Sequence, residues 1–476
     1  MSTKNTQRAS FTGKLGFILA AAGSAVGLGN IWRFPYLAAK HGGVSFLLTY
    51  VVLAVTFGFA LMVAEIAIGR KTGLSAIGAY SALNKKFGFV GWLTAIVPTI
   101  ILPYYSVIGG WVIKYFVAFV SGHANDAAVH TTTDAVTGEV TLGYFDAFIT
   151  DPAEPLLWFA IFLGITSIVV LFGVEKGIEK VSKIMMPILV VLSVVIAVYS
   201  MTRPNAIEGV AYLFHPKNLG NFSVVTVLAA MGQLFYSMSL AMGIMITYGS
   251  YMKKDVNVES SVHSIEIFDT GIAFLAALMV IPAVFSSAAA QGVDPATMLG
   301  KGPGLMFVTL PEVFTSMGIS GAVIGAIFFL LVIFAALTSS ISLMEAIVSI
   351  IRDKFKVSRV AACFITLGIS ILLGVPSSLG NGVLNIDSVK QFILGMDILS
   401  FFDFMSNSVI MPIVAFITCI LVGWVIKPKA LIEEVEISGK FKAKTLFTVI
   451  IKYVAPICIL AILGFAVAEG MGWLKV

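Results

Sequence analysis

Charge is what this sequence lacks most: of 476 residues only 12% are Asp, Glu, Lys or Arg, while 58% are hydrophobic. A soluble domain cannot hold that balance, because its surface needs many more charges to stay in solution. Cysteine is nearly absent. Cys363, Cys419 and Cys458 lie inside apolar runs with no pairing pattern, which excludes a disulfide scaffold and reads as small buried hydrophobes. The five histidines (His41, His123, His130, His215 and His263) show no HExxH or other metal-ligand spacing. The Gly-rich stretch around Gly27 follows no strand and has no P-loop lysine, so neither a metalloenzyme nor a nucleotide site is expected. The net charge of +5 sits in short loops beside apolar segments and carries no nucleic-acid signal. The opening MSTKNTQRAS is polar and short, so no cleavable signal is expected and the first apolar stretch is retained.

What the chain does contain is apolar runs of about 20 residues, the length that crosses the hydrocarbon of a bilayer, repeated from end to end. Glycine is abundant at 44 residues, as suits helices packing closely without water between them. Eleven spans are predicted, at 13–37, 44–69, 89–120, 156–173, 181–201, 224–252, 260–288, 319–351, 358–376, 397–425 and 445–470. Lys and Arg cluster before span one and after spans two, four, six, eight and ten. By contrast, residues 121–155 hold six acidic residues and no Lys or Arg. The positive-inside rule then puts the N-terminus in the cytoplasm, and the odd number of spans puts the C-terminus outside an inner (plasma) membrane. The segment 290–317 is too broken to span and is expected to fold as an external re-entrant or capping loop.

Two spans are interrupted. Span one carries Gly23-Ser24-Ala25-Val26-Gly27-Leu28-Gly29-Asn30, and span six carries Ser237-Met238-Ser239-Leu240-Ala241-Met242-Gly243. Glycine and serine in mid-helix weaken the hydrogen-bond ladder and free its carbonyls and amides. Such backbone is tolerated at membrane depth only where it lines a cavity or is buried in protein. One break alone reads equally as close packing of small residues. Two in corresponding places, five spans apart, point to inverted repeats with a binding site at mid-membrane. The expected organisation is a tail 1–12, a first repeat 13–201 (spans one to five) and an external loop 202–223. A second repeat 224–425 (spans six to ten), a cytoplasmic loop 426–444, and span eleven with its external end at 445–476 complete it. Charges stand within spans at Arg33, Glu65, Asp269, Glu345, Asp397 and Asp403. Each costs on the order of 3 kcal/mol at the bilayer centre, so a function is the default expectation, above all for Arg33, Asp269 and Asp403, whereas Glu65 and the uncharged Gln233 read as buried hydrogen-bonding groups that hold the bundle together.

These stretches carry a specific resemblance. Gly16-Phe17-Ile18-Leu19 through Gly29-Asn30-Ile31-Trp32-Arg33-Phe34-Pro35-Tyr36 resembles the first-helix signature of the neurotransmitter:sodium symporter family. The likeness continues through Glu65-Ile66-Ala67-Ile68-Gly69-Arg70, Pro103-Tyr104-Tyr105, Gly232-Gln233-Leu234-Phe235 and Ile246-Thr247-Tyr248-Gly249-Ser250-Tyr251. It ends in Ala336-Leu337-Thr338-Ser339-Ser340 and Asp403, in order over nearly the whole chain. In layout the chain is closest to bacterial amino-acid members and lacks the twelfth helix many relatives have.

The resemblance implies a sodium-coupled amino-acid symporter and a set of residues. One sodium ion would be held by the Ala25 carbonyl, Asn30, Ser237 and Asp269, and a second by the carbonyls of Gly23, Val26 and Ala335 with Thr338 and Ser339. The substrate carboxylate would meet the Leu28 and Gly29 amides, the Tyr105 hydroxyl and the first ion. Ile101, Phe235, Tyr236, Ser237, Ser239, Met242 and Leu343 would line the pocket. Arg33, Asp403 and Tyr104 would gate the outside, with Phe235 as lid, and Arg8, Asp353 and Tyr251 the inside. Many relatives have Asn where Asp269 is placed, although a one-residue shift would put Phe268 there; a fixed carboxylate at that position implies chloride-independent transport. Bacterial relatives often read Gly-x-Gly in the unwound part of span six. The apolar lining suits an aliphatic or an aromatic amino acid; Ala241-Met242-Gly243 carries one extra methyl, which favours mid-sized aliphatic side chains over tryptophan and leaves a symporter for aromatic amino acids as the alternative. A sensor that binds an amino acid without moving it is the other class of reading; concentrative uptake separates the two.

Overall fold

The computed structural model describes residues 9–134, 140–216, 219, 222–299 and 303–471. Among them, nine helices are long and apolar enough to cross a membrane, from Val44–Thr72 to Lys444–Ala468, and Lys14–Ala25 with Gly29–Lys40 forms a tenth, broken one bent by 56°. Span six is also broken. Its halves, Val224–Ser237 and Ile244–Ser250, are each too short to cross alone and are separated by residues 238–243. Counted as one span they complete an all-helical bundle of eleven, the class that composition predicts. The one sheet among the described residues is a hairpin of two short exposed strands at Thr132–Thr133 and Val140–Thr141.

Burial is graded across the bundle. The apolar windows of spans two, three and seven are 72%, 83% and 72% buried, whereas those of spans four, five, nine and eleven (Glu154–Leu171, Val174–Met201, Arg359–Leu379 and Lys444–Ala468) are 33–39% buried. A helix that is apolar all round and only one-third covered by protein presents its remaining surface to lipid. The first half of span one is buried from Gly16 to Ala25 and the second half of span six from Ile244 to Gly249, so both of these halves run through the protein interior. Close approach is built in: a Cβ on Gly69 would lie 1.9 Å from the Ile246 carbonyl oxygen, and one on Gly249 would lie 2.4 Å from that of Ile66. Spans two and six touch backbone to backbone there, which only glycine permits.

Within 290–317 the described residues form a short helix at Pro295–Met298 and a helical stretch from Leu305 to Ser316. Phe307 is fully buried among Trp32, Trp111, Tyr115, Phe145 and Phe329, with ring centroids 5.1–6.5 Å apart, and its carbonyl accepts from the Tyr115 hydroxyl at 2.7 Å. Asp397, which falls inside predicted span ten, instead caps it: its carboxylate accepts from the Ser400 amide at 2.9 Å, at the mouth of the bundle.

Candidate functional site

The first half of span one ends at Ala25 because Val26 takes an extended conformation, φ −74° and ψ 102°; the chain re-enters helix through a π-helical turn at Gly29–Arg33. In span six, Ser239 (φ 53°), Ala241 (φ 59°) and Gly243 (φ 74°) all adopt left-handed backbone. That run breaks the helix outright. The loosened segments brace each other: the Ser239 hydroxyl donates to the Ser24 carbonyl at 2.9 Å, and Ser24 donates to Ser239 at 3.2 Å. Glu65 of span two accepts from the Ala241 amide at 2.6 Å and so holds the strained stretch, and Gln233 donates to the Gly29 carbonyl at 2.9 Å. Both side chains secure the breaks.

Between the breaks lies a central cavity of about 30 Å³. Ala25, Leu28, Gly29, Asn30, Ile101, Tyr105, Tyr236, Ser237, Ser239, Met242, Ser339 and Leu343 line it, together with Ser24, Gly27 and Ile244, which sequence reading did not assign. That volume holds about one water molecule, so an amino acid enters only as the walls part. The Tyr105 hydroxyl accepts from the Leu28 amide at 3.3 Å, at the end of the cavity where the half-helix begins.

At one side of the cavity Asn30, Ser237 and Asp269 converge. Asn30 Nδ2 donates to Asp269 Oδ1 (2.7 Å) and Ser237 Oγ (2.9 Å), and Ser237 donates to the same carboxylate oxygen at 2.6 Å. Tyr50, unassigned by sequence, donates to Asp269 Oδ2 at 2.8 Å. Asp269 is thus the residue of span seven that faces the site, and Phe268 is not part of this cluster. On the opposite side Ser339 Oγ lies 3.4, 3.1 and 3.3 Å from the carbonyl oxygens of Gly23, Ser24 and Val26. Thr338 adjoins them; its hydroxyl bonds back to Phe334 (2.9 Å) and Ala335 (3.1 Å). Among the described residues no three His, Cys, Asp or Glu side chains come together, so an ion here would be held by carbonyls, hydroxyls and the single Asp269 carboxylate. That donor set suits a hard monovalent cation.

Above the central cavity, on the face opposite the N-terminus, opens a vestibule of about 430 Å³. Arg33, Tyr104, Phe235, Tyr236 and Asp403 line it. Phe235 lies here, stacked edge-on against Phe57 at 5.4 Å, and does not line the central cavity, whereas its neighbour Tyr236 lines both. Successive helical residues point about 100° apart, so only one of the pair can face the centre. Asp403 accepts from Tyr104 (3.0 Å) and Asn407 (2.7 Å). The Arg33 guanidinium lies 5.9 Å from the Tyr236 ring centroid, and the two gate charges face the vestibule without a direct ion pair.

Of the inner gate expected at the N-terminal face, Asp353 and Tyr251 fall within the described residues. Arg8 lies outside the described residues. Asp353 accepts from the Ser75 amide at 2.8 Å. Tyr251 donates to Glu345 at 2.7 Å, and Glu345, fully buried, pairs with Arg359, which also donates to the Val170 carbonyl at 2.9 Å. Phe11 packs on Tyr248 and Tyr251, its amide donating to the Tyr251 carbonyl at 3.1 Å. In sequence Arg359 reads only as one of several loop charges, and nothing marks it as the partner of Glu345. Glu266, one turn before Asp269, is a further buried carboxylate; it bonds the half-exposed His263 at 3.0 Å.

The family model described as the sodium:neurotransmitter symporter family matches residues 8–136 and 144–471. The chain belongs to that family. It is 33% identical over 454 residues to YhdH of Bacillus subtilis (strain 168), an uncharacterized sodium-dependent transporter, covering 94% of this chain and 95% of that protein. It is 26% identical over 476 residues to the sodium- and chloride-dependent taurine transporter of the dog, covering 91% of this chain and 74% of that one. Among solved structures, MhsT in complex with L-phenylalanine superposes with a TM-score of 0.81 at 37% identity, covering 96% of this chain and all of that one. Membership makes the protein a multi-pass, sodium-dependent symporter and not an enzyme.

Proposed function

We propose that this protein imports a hydrophobic amino acid with two sodium ions, independently of chloride, by alternating access. The observation that carries the reading is the meeting of two broken helices at one cavity, with an oxygen-rich cluster on each side of it. Asn30, Ser237, Asp269 and the Ala25 carbonyl would hold the ion that touches the substrate carboxylate. Ser339, Thr338 and the carbonyls of Gly23, Val26 and Ala335 would hold the second. The carboxylate would replace the bond between the Leu28 amide and Tyr105, taking a hydrogen bond from each. The ion and the carboxylate each raise the other's affinity, which is coupling by linkage. Rocking of spans one, two, six and seven, within inverted repeats 13–201 and 224–425, would close the vestibule as the N-terminal face opens. That face is assigned to the cytoplasm of an inner membrane by its Lys and Arg content. A sodium ion entering down about 100 mV releases roughly 2.3 kcal/mol, and a tenfold gradient adds about 1.4. Two ions therefore supply roughly 7 kcal/mol, enough for a substrate gradient on the order of 10⁵.

The lining by Ile101, Met242, Ile244 and Leu343 favours an aliphatic side chain. An aromatic substrate is the second reading, favoured by the phenylalanine in the MhsT complex. Labelled leucine binding to the purified protein decides between them. Sodium-dependent binding displaced by isoleucine and valine more strongly than by tryptophan supports the aliphatic reading, and the reverse order supports the aromatic one. Replacing chloride by gluconate is expected to leave uptake unchanged; a large loss would contradict the role given to Asp269.

A further inference from the structure

The loop between spans ten and eleven carries a helix, Lys429–Glu436, whose buried face is Leu431, Glu434 and Val435. Glu434 is 4% exposed, and it meets Arg70 at the end of span two. The guanidinium of Arg70 is consumed by this loop and its neighbour. Nε donates to Glu434 Oε1 at 3.0 Å, Nη2 to the Glu434 carbonyl, and Nη1 to the Val256 carbonyl at 2.8 Å and Ser438 Oγ at 3.3 Å. Lys254, just past span six, donates to Glu434 at 2.6 Å and to the Arg70 carbonyl at 2.9 Å. Farther along, both carboxylate oxygens of Glu259, in the first turn of span seven, accept amides of the same loop, from Lys442 at 3.0 Å and Ala443 at 2.9 Å.

Apart from the packing of Phe441 on Phe447 of span eleven, the loop is thus tied to span two, to the turn after span six and to the start of span seven. The side chain of Arg70 is fully buried. If the loop stayed behind while those spans moved, a buried guanidinium would lose its counter-charge, which is strongly disfavoured. The loop must travel with them. Its other end is span ten, whose mouth carries Asp403 across the vestibule from Arg33. Between the two ends, span ten departs from α-helix twice, in π-helical stretches at Phe404–Ile410 and Leu421–Val425. Such stretches are where a helix bends most readily.

Resting on the alternating-access reading above, we propose that the loop at 426–444 is a strap. Through it, Arg70 and Glu434 act as positioning residues that pass movement of spans two, six and seven at the inner face to Asp403 at the outer gate. The arrangement uses a buried ion pair far from substrate to keep the two gates in opposite states.

The test uses the full chain with Cys363, Cys419 and Cys458 replaced by alanine. It carries one reporter cysteine in the lining of the vestibule (Ala229→Cys) or one beneath Phe11 and Tyr248 of the inner closure (Ser342→Cys, where the serine accepts from the Tyr248 hydroxyl at 2.8 Å), and maleimide labelling rates are compared in sodium and potassium. In the parent the two reporters are expected to respond oppositely. In Glu434→Gln the inner reporter keeps its response while that of the vestibule reporter falls about tenfold; uptake shows a similar loss in kcat with KM within about twofold. Opposite responses of wild-type size in Glu434→Gln would overturn the strap. If Glu434→Gln does not fold, Glu259→Ala, which frees the far end of the loop, decides by the same criterion. Reporters in the parent that do not respond oppositely would overturn alternating access itself, a different result from a parent that switches and a variant that switches equally well.

Discussion

Asp269 concentrates the chemistry of the site in one side chain. Its two oxygens gather Asn30, Ser237 and Tyr50 within 2.6–2.8 Å, so the carboxylate is fully positioned before any ion arrives. Asp269→Asn removes the fixed charge while keeping the shape. Its expected outcome is a sodium half-saturation raised at least about tenfold in uptake, because a single desolvated charge beside a cation is worth more than about 1.4 kcal/mol. Unchanged sodium affinity would show that the carboxylate serves the fold alone. Ala241 is the second informative residue. At φ 59° an alanine pays a penalty of about 1 kcal/mol that glycine avoids. Ala241→Gly is therefore expected to raise thermal stability and to let tryptophan compete better for uptake. The sequence already marks the extra methyl at Ala241. The left-handed backbone beneath it was not legible, because φ is set by how spans two and six brace the break.

At the scale of elements, what local pattern encodes was readable and what partner choice encodes was not. Hydropathy is summed over about 20 consecutive residues, so each span announces itself, and the breaks show as small polar residues inside apolar runs. The candidate clusters at Asn30 and Ser339 were legible only through family likeness, since Thr-Ser-Ser in a helix ordinarily bonds to its own preceding turn, as Thr338 does here. Glu345 and Arg359 sit on different helices, and sequence spacing does not reveal that they meet. Removing either partner leaves a buried charge, at a cost of about 3–5 kcal/mol. Arg359→Ala is accordingly expected to lower the melting temperature and to speed labelling of an inner-face cysteine; unchanged labelling would remove the pair from the closure. The contact of spans two and six through Gly69 makes a further prediction. Gly69→Ala drives a methyl into the Ile246 carbonyl, so uptake should fall sharply even where the protein still reaches the membrane, as judged by surface quantity. Normal uptake would mean the two spans separate at no functional cost.

The molecule has a wide vestibule on one face, a central cavity of about 30 Å³, and, among the described residues of the N-terminal face, Phe11, Tyr251, Glu345 and Arg359 joined in one cluster. This asymmetry is a global property that no segment of sequence carries, because it depends on which of several arrangements the bundle adopts. The account's central claim is that sodium entry drives amino-acid accumulation through this cavity. The most direct measurement is uptake of labelled leucine into proteoliposomes with sodium outside and potassium inside. The account predicts accumulation above the external concentration, collapse on adding a sodium ionophore, and loss in Asn30→Ala and Ser339→Ala. Leucine that binds in a sodium-dependent way but never rises above equilibrium inside would contradict it, and would leave a sensor in the place of a symporter.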